Sequence, residues 1–174
     1  VAVAAISVAP AGAAKNGTDR PFKASGDGFV AAEPLPFCDF NEDFTVAVCD
    51  QNIEVDPFIA SHMGRSTNTS EGFLTLNLDQ PCLTPSGTPG VEFESFQAVT
   101  LVAANGDQLT ADTTVSGCGD GVTPAEPVGT YTITGGTGRF DGATGSGDVV
   151  SVVGPLDEAG VSSLSTNWTG TISY

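Results

Sequence analysis

Apolar and polar residues alternate along most of this chain. In its last segment Leu164, Thr166, Trp168, Ile172 and Tyr174 fall on one face, and Asn167, Thr169, Thr171 and Ser173 on the other. Further back, Gln108, Thr110, Asp112 and Thr114 oppose Leu109, Ala111 and Val115. A period of two marks strands with one wet face. Strands are predicted near residues 21–32, 53–63, 65–78, 91–103, 108–116, 128–134, 143–153 and 162–173. A short apolar piece, FTVAVC, runs into Asp50-Gln51-Asn52 ahead of the second strand. The stretches EPLPFCDFNED, QPCLTPSGTPG and GCGDGVTPAEP read as loops, because proline, glycine and acidic residues crowd them. Asn105-Gly106 is the strongest hairpin signal and suits a type I′ turn, since both central residues tolerate positive φ. Eight antiparallel strands in hairpin order predict an all-β, eight-stranded antiparallel β-barrel without open edges. An immunoglobulin-like sandwich fits less well: its core holds a Trp between two paired cysteines, whereas Trp168 lies in the last strand.

Composition narrows this reading. The chain has 174 residues, enough for one domain with a real core, and 22 glycines and 11 prolines favour short strands and turns over helices. We assign residues 21–174 to a single barrel domain and residues 15–20 to a polar leader. Residues 1–14, VAVAAISVAPAGAA, read as the end of a secretory signal, an apolar run followed by small residues. Nothing else is long enough to span a membrane as a helix. Cys38, Cys49, Cys82 and Cys118 form an even set without zinc-type spacing, so two disulfides are expected in a secreted, extracellular protein. Of three pairings, Cys38–Cys49 with Cys82–Cys118 is preferred because the first closes a short local loop, leaving the second to tie two long connections.

Charge excludes whole classes of partner. There are 21 acidic residues against 5 basic ones, a net charge of -16, and after Lys23 only Arg65 and Arg139 remain basic. Such a surface repels nucleic acid and anionic membranes.

The segment YTITGGTGRFDGATGSG, residues 131–147, invites a phosphate-loop reading. It lacks the third glycine of a dinucleotide fingerprint, a lysine in the P-loop position and a following helix. It reads instead as a glycine-rich turn between strands, in which Phe140 plugs the barrel end and Arg139 pairs with a carboxylate. Together with SHMGR at 61–65 and AANGDQLTA at 103–111, this segment resembles the allene oxide cyclase-like barrel proteins, specifically their secreted bacterial members, which are distantly similar to plant dirigent proteins. The resemblance runs from about residue 21 to 174. It implies an eight-stranded barrel with a central cavity and no cofactor. Plant members guide cyclisation of a reactive lipid epoxide or coupling of phenoxy radicals, and often form homodimers or homotrimers. The polar set with which the plant cyclases hold a bound water has no counterpart in this chain, so no catalytic residue is assigned.

Four residues are candidates for ligand binding: His62, Arg65, Glu94 and Arg139. His62 is the sole histidine, so no two-histidine metal site exists. It reads as an acid or base at a barrel mouth, or as a histidine hydrogen-bonded at a strand end before Gly64. Arg65 and Arg139 read as turn braces paired with carboxylates such as Glu92, Glu94, Asp112 or Asp141, or as mouth residues for a ligand carboxylate. Residues 39–43, DFNED, have calcium-loop spacing in part but lack the glycine and final glutamate of an EF-hand. Three functions follow as expectations: a cavity binding a small apolar or amphipathic ligand, a cofactor-free cyclase, or a structural protein with a filled barrel.

Overall fold

The computed structural model describes residues 17–174; the signal-like stretch 1–14 lies outside them. Nine strands follow one another: β1 (Arg20–Ala32), β2 (Asp39–Phe40), β3 (Val46–Ala60), β4 (Gly64–Leu83), β5 (Pro89–Ala103), β6 (Gln108–Gly119), β7 (Val128–Gly136), β8 (Thr144–Val153) and β9 (Val161–Ser173). Neighbours in sequence pair antiparallel from β3 through β9, and β1 pairs with both β9 and β3, which closes a ring of eight. The short β2 continues the line of β1 along β3, pairing Asp39 with Val48. Closure gives every long strand two partners and leaves the two-residue β2 as the sole edge among the described residues.

The predicted strands correspond closely to β1 and β5–β9, with two differences. FTVAVC and the second predicted strand form one element, β3. The polar triple Asp50-Gln51-Asn52 resembles a turn, yet Gln51 continues the inward phase of Ala47 and Cys49 and pairs with Gly72. Likewise QPCLTPSGTPG is mostly strand. Pairing resumes after a bulge between Asn77 and Pro81, and only residues 84–88 separate β4 from β5. The hairpin at Asn105-Gly106 also forms in a different way. Only Gly106 has positive φ (87°), and its N–H reaches the Ala103 carbonyl at 2.9 Å. This is the three-residue connection ending in a left-handed glycine rather than a type I′ turn.

Chain direction gives the barrel two unlike ends. The turns 61–63, 104–107 and 137–143 gather with Tyr174 at one, which we call the closed end. The loops 33–45, 84–88, 120–127 and 154–160 surround the other, the open end. In the closed half the interior is solid: Phe22, Phe58, Leu101, Leu109, Phe140 and Ile172 are fully buried. Tyr131 stacks on Trp168 with centroids 4.9 Å apart, while Phe22 and Phe58 tilt against them at 5.8 and 5.7 Å. The Tyr131 hydroxyl lies over Gly170, where an added Cβ would sit 2.6 Å from it, so this inward position admits no side chain.

Both disulfides form in the preferred pairing and both brace the open end. Cys38–Cys49 ties the first loop to β3, and Cys82–Cys118 joins the ends of β4 and β6 across β5 rather than two long connections.

Candidate functional site

The open half differs from the closed half in carrying a belt of polar side chains among its apolar inward positions. Along β4 the inward residues are Ser66 near the closed end, then Asn68 and Ser70, then Leu74 and Leu76 at the open end; the stretch Arg65–Gly72 holds no apolar side chain on either face. Along β5, Ser95 and Gln97 occupy the same inward phase as Val99, Leu101 and Ala103. Gln51, Thr113, Ser151 and Thr166 complete a belt around the wall. Glutamine, asparagine and hydroxyls at core positions require partners, since an unpaired buried polar group costs about 1–3 kcal/mol.

Part of the belt supplies its own partners. Gln51 Oε1 accepts from the Ser95 hydroxyl and, at 2.8 Å, from Gln97 Nε2. Thr166 Oγ1 accepts from the Ser151 hydroxyl at 2.9 Å and from Trp168 Nε1 at 3.2 Å. Two oxygens stay unpaired although their residues are only 3% and 2% exposed: Asn68 Oδ1 and Gln97 Oε1. A cost of that size for each is a large part of the ~5–15 kcal/mol that holds a typical domain folded. Both oxygens are sealed from solvent within the wall.

A void of about 60 Å³ lies within the belt, above the Trp168 floor, with Asn68, Gln97 and Thr166 in its wall. Val30, Gln51, Phe93 and Val153 line both this void and an outer vestibule of about 130 Å³. The vestibule is apolar, walled by Leu74, Leu76, Val91, Ala125 and Leu156 at the open end. No acidic or basic side chain lines either space. A pocket for a drug-sized molecule measures roughly 300–1,000 Å³; these are smaller. They suit a polar head of a few atoms with a short apolar tail.

The loop 120–127 forms one lip of the vestibule, and Asp120 shapes it. Its carboxylate accepts from the Thr88 hydroxyl (2.6 Å) and from the N–H groups of Thr123 (2.7 Å) and Val122 (2.9 Å). Those bonds, the Thr88 hydroxyl foremost, hold Asp120 well below the usual carboxylate range.

None of the four residues singled out from the sequence lines the void. His62 sits in the β3–β4 turn at φ 68°, with Nε2 donating to the Pro21 carbonyl at 2.9 Å and its ring edge-on to Tyr174. Arg65 is exposed at the start of β4, 3.7 Å from Asp56. Arg139 lies over the Phe140 ring and 3.3 Å from Asp107. Asp56 and Asp107 are not among the carboxylates suggested as arginine partners. Glu94 is exposed on the outer face of β5. His62 and Arg139 are linked at the closed end through Tyr174 and Phe140, whose rings meet at 5.1 Å. The glycine-rich segment is the β7–β8 turn, where Phe140 is fully buried as a plug. Gly138 takes φ 61° there, and a Cβ on it would collide with the Asp107 carboxylate.

The residues that do line the void carry no charge, so a search for ionisable groups passes over them. The signal that reveals them is phase: serine, asparagine and glutamine recur at inward positions of strands whose neighbours bury both ends. Asn68, which heads a glycosylation-type triplet, is one of these interior residues.

Among the described residues, no cluster of three His, Cys, Asp or Glu side chains is placed to hold a metal ion, and no helix is long and apolar enough to cross a membrane. No family model, curated protein or solved structure matches this chain.

Proposed function

We infer that the protein binds a small, neutral, amphipathic molecule in the open half of its barrel, without turning it over, as a secreted member of the allene oxide cyclase-like barrel group. One observation carries the binding reading: a belt of polar side chains surrounds an internal void, and four of the residues lining it also line an apolar vestibule at the open end. The solid closed half fits a filled barrel, but the open half does not. Steering a ring closure would have to rely on shape alone, since no acid or base lines the walls; binding is therefore the reading adopted. The two disulfides and the signal-like first residues support export.

Trp168, the single tryptophan, forms the floor of the void and reports on it directly. Titration with straight-chain alcohols from butanol to octanol is expected to change its fluorescence saturably, with affinity rising along the series until the vestibule is full. Ser70→Val, which fills part of the void, should weaken that response while leaving the fold intact. A response that grows linearly and matches that of free N-acetyltryptophanamide would refute binding at this site.

A further inference from the structure

The four loops of the open end form one collar, and its outer surface differs from that of the closed end. The Ala32 N–H donates to the Gly160 carbonyl at 3.1 Å, the Leu156 N–H to the Gly121 carbonyl at 3.0 Å, and the Thr88 hydroxyl to Asp120 at 2.6 Å. These bonds join the start of loop 33–45 to 154–160, then 154–160 to 120–127, then 120–127 to 84–88. Phe37 and Phe44 on this collar are each 70% exposed, as is Leu83 where β4 enters it, and Val122 is 74% exposed. Leu35 and Leu156 are half-exposed. The turns 61–63, 104–107 and 137–143 of the closed end carry no exposed large apolar side chain. Phe44 is also held against its backbone preference. Its φ is 58°, a region that bulky residues avoid. Asn41 fixes the turn around it, its Oδ1 accepting from the N–H groups of Thr45 and Val46, both at 2.9 Å. The Phe44 ring tilts against Phe40 at 5.7 Å yet stays largely in solvent. Backbone strain kept to present an exposed ring points to a role outside the fold.

The same loops are acidic. Glu33, Asp39, Glu42, Asp43, Glu126 and Glu158 are exposed in them, and none of the four loops holds a lysine or an arginine. We propose that the collar is a docking surface for a basic amphipathic segment of a partner protein, an apolar face edged with lysine or arginine. Phe37, Phe44, Leu83 and Val122 meet the apolar face, and the carboxylates around them meet the cations. Exposed apolar surface rimmed by polar groups marks such a contact. Charge disfavours two other occupants. Lipid surfaces carry no net positive charge to set against the carboxylates. A second copy docked mouth to mouth would press the same acidic loops together.

The test uses the whole protein and a fluorescein-labelled helical peptide of leucine and lysine with its leucines on one face. Two companion peptides separate the contributions: one has serine for leucine, the other glutamate for lysine. Fluorescence anisotropy is expected to rise saturably with the leucine–lysine peptide, and either companion should bind at least roughly tenfold more weakly. Phe37→Ser combined with Phe44→Ser leaves the net charge unchanged and should weaken binding about tenfold, since part of two ring burials is lost. Ile59→Ser combined with Val150→Ser, exposed on the outer wall, should not. Phe44→Gly relieves the positive φ; it should weaken binding while keeping or raising the melting temperature, whereas a merely structural Phe44 would lower it. A serine–lysine peptide that binds as tightly as the leucine–lysine one reduces the attraction to net charge and overturns the proposal. So does full affinity in the Phe37 and Phe44 double variant, or no binding of the leucine–lysine peptide. Saturable binding to phosphatidylcholine vesicles, or self-association in analytical ultracentrifugation, that the same double variant abolishes would assign the collar to lipid or to a second copy and overturn it as well. The alcohol titration of Trp168 is decided separately, because none of the substituted residues lines the void.

Discussion

Tyr131 shows how a single side chain is tuned by its place in the barrel. Its hydroxyl is buried without a hydrogen-bond partner beneath the belt, and its pKa is pushed up to about 12, by burial first and by the charge of Asp148 second. The unfolded chain ionises at the ordinary tyrosine value, near 10. The folded protein therefore holds the proton to higher pH, and stability that is intact below about pH 10 falls as pH rises towards 12. Tyr131→Phe removes both the unpaired hydroxyl and this titration. We expect the variant to be about 1 kcal/mol more stable at neutral pH, and to escape a loss of roughly 2–3 kcal/mol that the wild type suffers across the alkaline range. Urea denaturation at intervals from neutral to strongly alkaline pH measures both. Equal alkaline losses in the two proteins would show that Tyr131 is not the group responsible. At this same scale the sequence was least transparent. His62, Arg65, Glu94 and Arg139 attract attention as rare or charged residues, yet they lie on turns or on the outer face, whereas Asn68 and Gln97 look ordinary until strand phase turns them inward.

The elements were far more legible. Alternation placed β1 and β5–β9 because a strand with one dry face must repeat every second residue. It failed where polarity and phase conflicted, at Gln51 in β3, and where proline-rich sequence hid a bulge, at Asn77 to Pro81. The elements at the open end depend on cross-links and clamps more than on packing. The loop closed by Cys82–Cys118 spans 36 residues and that closed by Cys38–Cys49 spans 11. On chain entropy, replacing the first pair by serine should cost about 4 kcal/mol and the second about 3 kcal/mol, measured by denaturation of each double variant. The reverse order would mean that chain entropy is not what these bridges supply. Asp120 serves the lip loop in a similar way. Its depressed pKa makes its contribution complete above about pH 4 and lost as pH falls further. Asp120→Ala should lower the melting temperature at neutral pH and narrow the gap to wild type under acid conditions. A gap that is constant with pH would remove the carboxylate from that role.

On the scale of the whole molecule, the barrel divides its work between its ends. One half is a solid aromatic and aliphatic core capped by Phe140, and it supplies rigidity. The other half spends inward positions on serine, asparagine and glutamine, at a cost in stability that a filled barrel would avoid. None of the 21 acidic residues lies in the wall of the void or of the vestibule. The closed barrel follows from hairpin order and alternation; the cavity follows only once closure tells which face is inside. That is why the fold was readable along the chain and the site was not.

The most direct measurement is a two-dimensional ¹⁵N–¹H spectrum recorded during titration with hexan-1-ol. A ligand seated in the void gives saturable shifts in the side-chain amide signals of Gln51, Asn68 and Gln97 and in the Trp168 indole, with the backbone of turns 61–63 and 137–143 unmoved. Shifts confined to the outer face or the closed end, with those four interior signals stationary, would contradict it.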